Sequence, residues 1–210
     1  WGVPVYQLLG GKYRDKVRVY CDTDVDGKHS GHDMGLELKR RMDMGFTFLK
    51  MDLGIGLLID EPGCISAPLG FIDDMKRYAG HILNVQDGSV TADMVKRQAS
   101  YQIVTTPHAM TGIQITEKGL DVLEEYVKEV RDVVGYEVPI AIDHFGHVCP
   151  ESTIRFLKRM EKYNLAWAED LVPWMDTDEY VRLRNSTTVP LCTGEDIYRK
   201  EDFEKLITSH

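Results

Sequence analysis

The sequence lacks three features that would assign it to well-defined protein classes. Its four cysteines form no CxxC pair, so their spacing indicates neither a zinc site nor a disulfide framework, and free thiols in a reducing cytoplasm are the simplest interpretation. No apolar run approaches the roughly 20 residues that a membrane span needs. The formal net charge of -9 argues against the basic face of a nucleic-acid-binding protein. We therefore expect a cytoplasmic protein that binds neither membranes nor nucleic acid.

The length of 210 residues is enough for one substantial domain with a sizeable core. Trp1 stands where an initiator methionine would be, and residues 1–11 read like the end of a helix that runs into a turn. We therefore expect the chain to be a piece of a longer protein, with residues 1–16 as a lead-in segment and residues 17–210 as the catalytic domain. Because the chain is acidic, an anionic substrate would need a local positive centre such as a lysine or a metal.

The order of the predicted elements indicates an α/β protein. Alternating, β-branched segments predict strands, and apolar residues three and four apart predict helices. Predicted strands cover residues 17–23, 46–52, 139–145, 165–171 and 189–195, and predicted helices cover residues 33–45, 116–134, 151–163, 176–185 and 200–209. Residues 55–115 interrupt this alternation with Gly, Pro and polar turn signals around a short helical stretch at 91–99, and we interpret them as a long excursion. The alternation implies a parallel sheet covered by helices, either an open doubly wound sheet or part of a (β/α)₈ barrel.

Three acidic residues recur at the same level on consecutive predicted strands. Asp143, Glu169 and Glu195 each lie at the carboxyl end of a strand, and 26 residues separate each from the next. Neighbouring strands are roughly 4.8 Å apart, so the carboxylates can converge, and their repulsion would raise their pKa values. A hard divalent cation relieves this repulsion, and a ligand set of oxygens suits Mg²⁺. The spacing predicts a magnesium site, against the alternative of separate acids paired with lysines.

This pattern resembles the enolase superfamily, in its mandelate racemase and muconate lactonising group. The likeness runs over nearly the whole chain, through GVPVYQLLGGKYRDKVRVY near the start, GFTFLKMD on the second strand, and WAEDLVPW and CTGEDIY around the last two acids. The resemblance implies part of a modified, TIM-like (β/α)₇β barrel of the enolase C-terminal-domain type, with a capping domain before Trp1 and the last strands after His210. It also implies Mg²⁺ as cofactor and removal of the α-proton of a carboxylate substrate through an enediolate.

The candidate acid and base residues lie near the ends of two predicted strands. Lys50 and Asp52 are two apart on the second strand, so they share a face. Many relatives end this strand Lys-x-Lys with the second Lys as base, and here Asp52 takes that place. Lys50 could supply positive charge or a proton, Asp52 could orient it or act as a weak base, and a simple ion pair is the alternative. His147, just past the strand that ends at Asp143, could be an acid or a substrate contact, or a histidine of a surface loop.

The function that the resemblance implies is dehydration of a sugar acid by an Mg²⁺-dependent lyase. Because the second lysine is replaced, we expect the α-proton to be taken by a residue beyond His210. A racemase or epimerase of a 2-hydroxy acid that uses the same intermediate is the alternative. A reading from another class, a non-catalytic calcium-binding or scaffold module, rests on the run from Asp22 to Asp33, which imitates a calcium loop. We expect a small carboxylate substrate and a homo-oligomer of the full-length protein.

Overall fold

The structure is a computed structural model that describes residues 1–83, 90–105, 113–143 and 148–209, and the backbone alone over 100–105. The strands are β1 (Leu49–Asp52), β2 (Ile65–Ser66), β3 (Gln114–Ile115), β4 (Ile140–Asp143), β5 (Ala168–Glu169) and β6 (Leu191–Cys192). The helices are α1 (Val5–Leu8), α2 (Gly31–Asp43), α3 (Phe71–Ile82), α4 (Ala92–Thr105), α5 (Glu117–Val134), α6 (Pro150–Met160), α7 (Thr177–Arg184) and α8 (Lys200–Thr208). In the described part of the chain, no helix is long and apolar enough to cross a membrane.

The central sheet is parallel and has the strand order β1-β4-β5-β6. Helices connect consecutive strands of this sheet, which confirms the predicted strand–helix alternation. The predicted strand at residues 17–23 is shorter than expected. Its regular pairing is one parallel bridge from Cys21 to Leu49. In addition, the Lys50 N–H donates to the Cys21 carbonyl at 2.8 Å, and the Asp52 N–H donates to the Thr23 carbonyl at 2.9 Å. The segment therefore extends the sheet next to β1 without forming a full strand.

Helix α5 covers the sheet with the apolar stripe that its sequence predicts. Thr116 caps its N-terminus by accepting a hydrogen bond from the Gly119 N–H, as a Thr in this position favours. One face is buried, with Leu120, Leu123, Val127, Val130 and Val134 among its residues. Helix α2 packs closely against α5, and this closeness depends on glycine. A Cβ added at Gly35 would lie 2.7 Å from Cβ of Val133, and one at Gly31 would overlap the carbonyl oxygen of Tyr126.

Residues 55–115 contain more regular structure than the sequence indicated. The short helical stretch expected at 91–99 is part of a longer helix, α4, and helix α3 was not predicted. Both helices pack against each other, and β2 pairs with β3 in an antiparallel ribbon. Helix α3 follows Gly70, whose φ of 77° is left-handed and which provides no side-chain cap, so the usual start signal is missing. Its apolar side chains Phe71, Ile72 and Met75 nevertheless pack against the core.

A buried arginine ties together the loops that lead into two strands of the sheet. Arg131 is 3% exposed, and its guanidinium donates to the carbonyls of Gly135 and Val138 at 3.1 Å each, Tyr163 at 3.0 Å and Asn164 at 2.8 Å. Residues 135–138 lead into β4, and the turn at 163–164 leads into β5. A planar group with five donors satisfies several carbonyls that burial would otherwise leave unpaired. This arginine therefore helps to set the relative positions of the strands that carry the acidic site.

Candidate functional site

Two of the predicted acidic residues meet at the carboxyl end of the sheet. Asp143 ends β4 and Glu169 ends β5, and the two residues are 2% and 7% exposed. Together with Asp170, each offers one carboxylate oxygen, and these oxygens all lie within 4.8 Å of one another. A compact set of carboxylate oxygens in a protected position fits a hard divalent cation such as Mg²⁺. Among the described residues, this group of acids has the geometry to hold a metal ion, and it lies at the face where barrel enzymes place their active sites.

The ammonium group of Lys50 lies within this cluster. Its Nζ is 2.5 Å from Oδ2 of Asp143 and 3.1 Å from Oε2 of Glu169. Burial lowers the pKa of Lys50, but hydrogen bonds and charge interactions with the two carboxylates outweigh it and raise the pKa above its ordinary value. The lysine therefore stays protonated and offsets part of the negative charge. From the sequence, Lys50 was a candidate source of positive charge or of a proton, with a simple ion pair as the alternative, and its contact with both candidate metal ligands was not predicted.

Asp52 lies at the end of β1, beside the acidic cluster. It is 6% exposed and pairs in register with Asp143 on β4. The hydroxyl of Tyr126 on α5 is close enough for the negative charge of Asp52 to affect its pKa. Burial raises the pKa of that hydroxyl, and the negative charges of Asp33, Asp52 and Glu129 raise it further. Asp52 is therefore a buried acid next to the site, and its role as an orienting group or weak base stays a prediction.

Asp170 belongs to the cluster although sequence reasoning did not select it. Burial raises its pKa to about 6, the Thr193 hydroxyl opposes this shift, and the charges of Asp143, Glu195 and Glu169 add to it. Strict strand alternation would direct adjacent side chains to opposite faces. Asp170 instead has a left-handed backbone with φ of 47°, which interrupts the alternation. The sequence signal that could have found it is the adjacent acid pair in WAEDL.

The third predicted ligand, Glu195, lies at the rim of the site. Strand β6 covers Leu191–Cys192, so the predicted strand at 189–195 begins two residues too early and ends three residues too late. Gly194, with φ of 127°, interrupts the extended backbone before Glu195. The Glu195 side chain is exposed, and its charge contributes to the raised pKa of Asp170. The oxygens that group within the described residues are those of Asp143, Glu169 and Asp170. The predicted acid or substrate contact His147 lies outside the described residues.

A group of aromatic side chains lies on the same face of the sheet, two residues before the charged groups along the strands. Phe48 and Trp167 precede Lys50 and Glu169 by two residues, so they share their faces. The rings of Phe48 and Trp167 stack with centroids 5.0 Å apart, and the ring of Tyr20 meets Trp167 edge-on at 5.6 Å. The indole Nε1–H of Trp167 donates to Oε2 of Glu169 at 2.8 Å, and Nζ of Lys50 is 5.4 Å from the Tyr20 ring centroid. Trp167 and Tyr20 therefore contact the charged groups of Glu169 and Lys50, respectively.

The run of residues that imitates a calcium loop has internal partners for its acids. The Asp26 N–H donates to Oδ1 of Asp24 at 3.0 Å, and Nζ of Lys28 lies 3.2 Å from the same oxygen. Arg97 on α4 pairs with Asp26 at 3.3 Å. Side-chain cations therefore already neutralise these two carboxylates, which favours a structural role for the loop over calcium binding.

Comparison with known proteins identifies the family. Residues 33–210 match the family model described as enolase C-terminal domain-like. The chain belongs to this family. Its fold is accordingly part of the enolase-type (β/α)₇β barrel, and the parallel sheet with connecting helices is the described portion of that barrel. A solved mandelate racemase/muconate lactonizing enzyme-like protein from Rubrobacter xylanophilus superposes with a TM-score of 0.64 and 25% identity, over 98% of this chain and 44% of that one. The resemblance inferred from the acidic motifs is confirmed.

The curated relatives of this enolase-family chain include several acid-sugar enzymes. A D-xylonate dehydratase of Haloferax volcanii is 28% identical over 199 residues, which is 94% of this chain and 37% of the relative. A D-galactonate dehydratase family member of Marinomonas is 29% identical over 98% of this chain and 43% of its own length. A D-mannonate dehydratase of Rhizorhabdus wittichii is 27% identical over 92% and 40%. The chain thus spans less than half the length of these relatives.

Proposed function

We propose that the full-length protein is an Mg²⁺-dependent dehydratase of sugar acids. The observation that carries the proposal is the buried convergence of Asp143 and Glu169 on the Lys50 ammonium at the carboxyl ends of parallel strands. Supporting it, relatives that match over nearly all of this chain are named as dehydratases of D-xylonate and D-mannonate and as members of the D-galactonate dehydratase family. The first two names describe enzymes that remove water from a polyhydroxylated carboxylic acid, and the third gives membership of a family named for the same reaction.

Asp143 and Glu169 would hold the metal, with Glu195 as the third ligand from the loop after β6 and Asp170 beside them. When bound, Mg²⁺ would supply Lewis-acid stabilisation of the negative charge that develops on the substrate carboxylate. The oxygen-only donor set fits this ion. Trp167 holds one oxygen of Glu169 through its indole N–H, and such supporting hydrogen bonds orient ligating carboxylates.

The chain's own residues would handle the proton movements around the substrate. Lys50, which is protonated and buried, would offer its ammonium to the substrate carboxylate or a proton to the departing hydroxyl. Asp52 would orient Lys50 or act as a weak base. His147 is the first candidate acid for hydroxyl departure, and Lys50 is the alternative. We assign removal of the α-proton to a base beyond His210. One base and one acid suffice for dehydration, whereas racemisation needs competent bases on both faces of the α-carbon.

The test is a screen of the full-length enzyme against C4 to C6 sugar acids with Mg²⁺, with the 2-keto acid product as readout and a chelator-treated sample as reference. We expect keto acid from at least one substrate, and its loss on chelation. Glu195→Gln should abolish turnover without unfolding the protein, whereas Glu201→Gln, an exposed acid on α8, should leave it unchanged. Failure of every sugar acid to give product would reject the proposal.

The racemase or epimerase alternative is separated from dehydration by isotope exchange. In D₂O, a dehydratase should incorporate deuterium together with loss of the hydroxyl group. Exchange without dehydration, from both epimers at similar rates, would favour the racemase and refute dehydration.

A further inference from the structure

A cavity of about 190 Å³ opens among residues that follow the ends of two neighbouring segments of the sheet. One wall is the loop at 25–29, just after Thr23, whose carbonyl accepts the Asp52 N–H at 2.9 Å. A second wall is the segment at 56–61, which begins four residues after Asp52 ends β1. Helix α4 forms the third wall. Because parallel strands place their carboxyl ends at one edge, the first two walls leave the sheet at the edge that carries the acidic cluster.

The lining of the cavity carries equal numbers of positive and negative groups. Its charged residues are Asp26, Lys28, Glu61, Asp93, Lys96 and Arg97. The three cations equal the three carboxylates of the lining in number, and Lys28 and Lys96 also pair with Asp24 and Asp60 just outside it, so the lining disfavours a ligand of high net charge. A hydroxyl group both donates and accepts hydrogen bonds, so it can use ammonium and guanidinium donors together with carboxylate acceptors. The chemistry of the lining therefore suits a chain of hydroxyl groups.

The charged groups are held in place yet remain able to exchange partners. Arg97 of α4 reaches across to Asp26 at 3.3 Å, and His29 reaches Asp93 at 3.9 Å. Lys28 also donates to the carbonyl of Asp26 at 2.8 Å. The Arg97–Asp26 ion pair and the His29–Asp93 contact join α4 to the loop at 25–29, and the side chains involved are more than one-third exposed. Exposed ion pairs of this kind contribute little, so a ligand hydroxyl can replace part of one at small cost.

We propose that this cavity receives the polyhydroxylated tail of the substrate and so selects sugar acids of five or six carbons over short hydroxy acids. The inference rests on the proposed function, since the carboxylate end of the same molecule would be at the acidic cluster. By the same measure a single water molecule needs only about 10–15 Å³, so a cavity of about 190 Å³ has room for several hydroxylated carbons. It would be a specificity site separate from the groups that handle the α-proton.

The test compares acids of different chain length in the full-length protein with Mg²⁺. Glycerate is the short probe, and pentonates and hexonates are the long ones; KM, kcat and calorimetric binding are measured for each. Arg97→Met and Lys96→Met should each raise KM and Kd for the long acids roughly tenfold, the size of one charge-assisted hydrogen bond. Values for glycerate and kcat for the long acids should stay within about twofold, in line with uniform binding of a remote group.

The controls separate the cavity from general electrostatics and from misfolding. Arg77→Met removes an exposed cation that pairs with Asp74 on α3 and should change neither KM nor its dependence on chain length. Arg97→Lys keeps the charge and should recover part of the affinity for long acids. Circular dichroism and thermal unfolding establish that each variant is folded, and Lys28→Met, on the opposite wall, provides a second test if an α4 variant does not fold.

The outcomes distinguish this inference from the proposed function. Equal effects on all chain lengths, or no effect on any, would overturn the cavity assignment even if sugar acids are dehydrated. Binding of long acids that weakens in the variants, without any keto-acid product, would support the cavity and reject the dehydratase. A wild-type protein that binds none of these acids would reject both.

Discussion

Lys50 bridges the carboxylates of Asp143 and Glu169 from a neighbouring strand, with Nζ 2.5 Å from one and 3.1 Å from the other. All three side chains are buried, so their charges interact where water screens them little. The lysine therefore offsets the repulsion that two adjacent buried acids would otherwise experience. A metal ion at the same carboxylates would take over part of that task, which links the stability of this region to metal binding.

Replacement of Lys50 by Met should destabilise the metal-free protein more than the metal-loaded one. Removing one partner of a buried ion pair leaves uncompensated charge and typically costs about 3 kcal/mol or more. Urea unfolding of the full-length protein, with a chelator and with saturating Mg²⁺, would measure both values. Lys39→Met is the matched control. Lys39 is half exposed, and its ion pair with Asp43 is long, at 4.0 Å. Unchanged stability of K50M without metal would contradict the role assigned to the lysine.

The pKa of Asp170 is raised to about 6, which predicts that Asp170→Asn increases the stability of the folded protein in a pH-dependent way. The folded state binds this proton more tightly than the unfolded chain, where the carboxyl has a pKa near its ordinary 3.8. The group's contribution to stability is therefore most favourable at low pH, falls as pH rises from about 4 to about 6, and is constant above that. Metal-free D170N should be more stable than wild type above about pH 6, and the difference should shrink towards about pH 4.

This pH profile can be measured by denaturant unfolding in a chelator at several pH values. Asp196→Asn removes an exposed acid of the same loop region and should show no such trend. A stability difference between D170N and wild type that is the same at every pH would count against the raised pKa.

The hydrogen bond from Trp167 to Glu169 predicts an effect on metal affinity. Trp167→Phe keeps an aromatic ring against Phe48 but removes the indole N–H, so Glu169 loses one group that orients it. Supporting bonds of this kind are worth roughly tenfold or more in metal affinity. Mn²⁺ binding to the full-length protein, followed by electron paramagnetic resonance, should therefore weaken about tenfold. Phe48→Leu disturbs the stack but keeps the N–H, and an equal loss in this variant would assign the effect to packing instead.

The close contact between α2 and α5 predicts a clash that a second substitution relieves. A methyl group at Gly35 would lie 2.7 Å from Cβ of Val133, so Gly35→Ala should destabilise the protein by about 2 kcal/mol through overpacking. Val133→Ala in the same chain removes the γ-methyl groups at 3.0 and 3.2 Å and should recover part of the loss. Leu36→Ala, at an exposed position of the same helix, should have a small effect. Additive losses in the double mutant, measured by urea unfolding, would refute the contact.

Local patterns in the sequence were sufficient for most helices and for the positions of Asp143 and Glu169 at the ends of strands. The stripe from Leu120 to Val134 predicted α5 because helical periodicity is a property of neighbouring residues. Asp143 and Glu169 were found because each ends a strand, and parallel strands place their ends at one edge. The strand before Glu195 was predicted too long because Gly194 interrupts the extended backbone, which composition around a short apolar run does not reveal.

The sequence by itself determined the family, the strand–helix alternation and the acidic residues at the strand ends, because these depend on residue types at regular spacing. Only the tertiary structure decided which groups meet. Lys50 reaches Asp143 because β4 lies beside β1, although the long excursion separates them in sequence. Asp170 joins the cluster through a left-handed backbone at a non-glycine residue, and α4 closes the cavity through ion pairs with a distant loop. Strand order, unusual backbone angles and long-range contacts arise from packing of the whole domain, which periodicity along the chain does not encode.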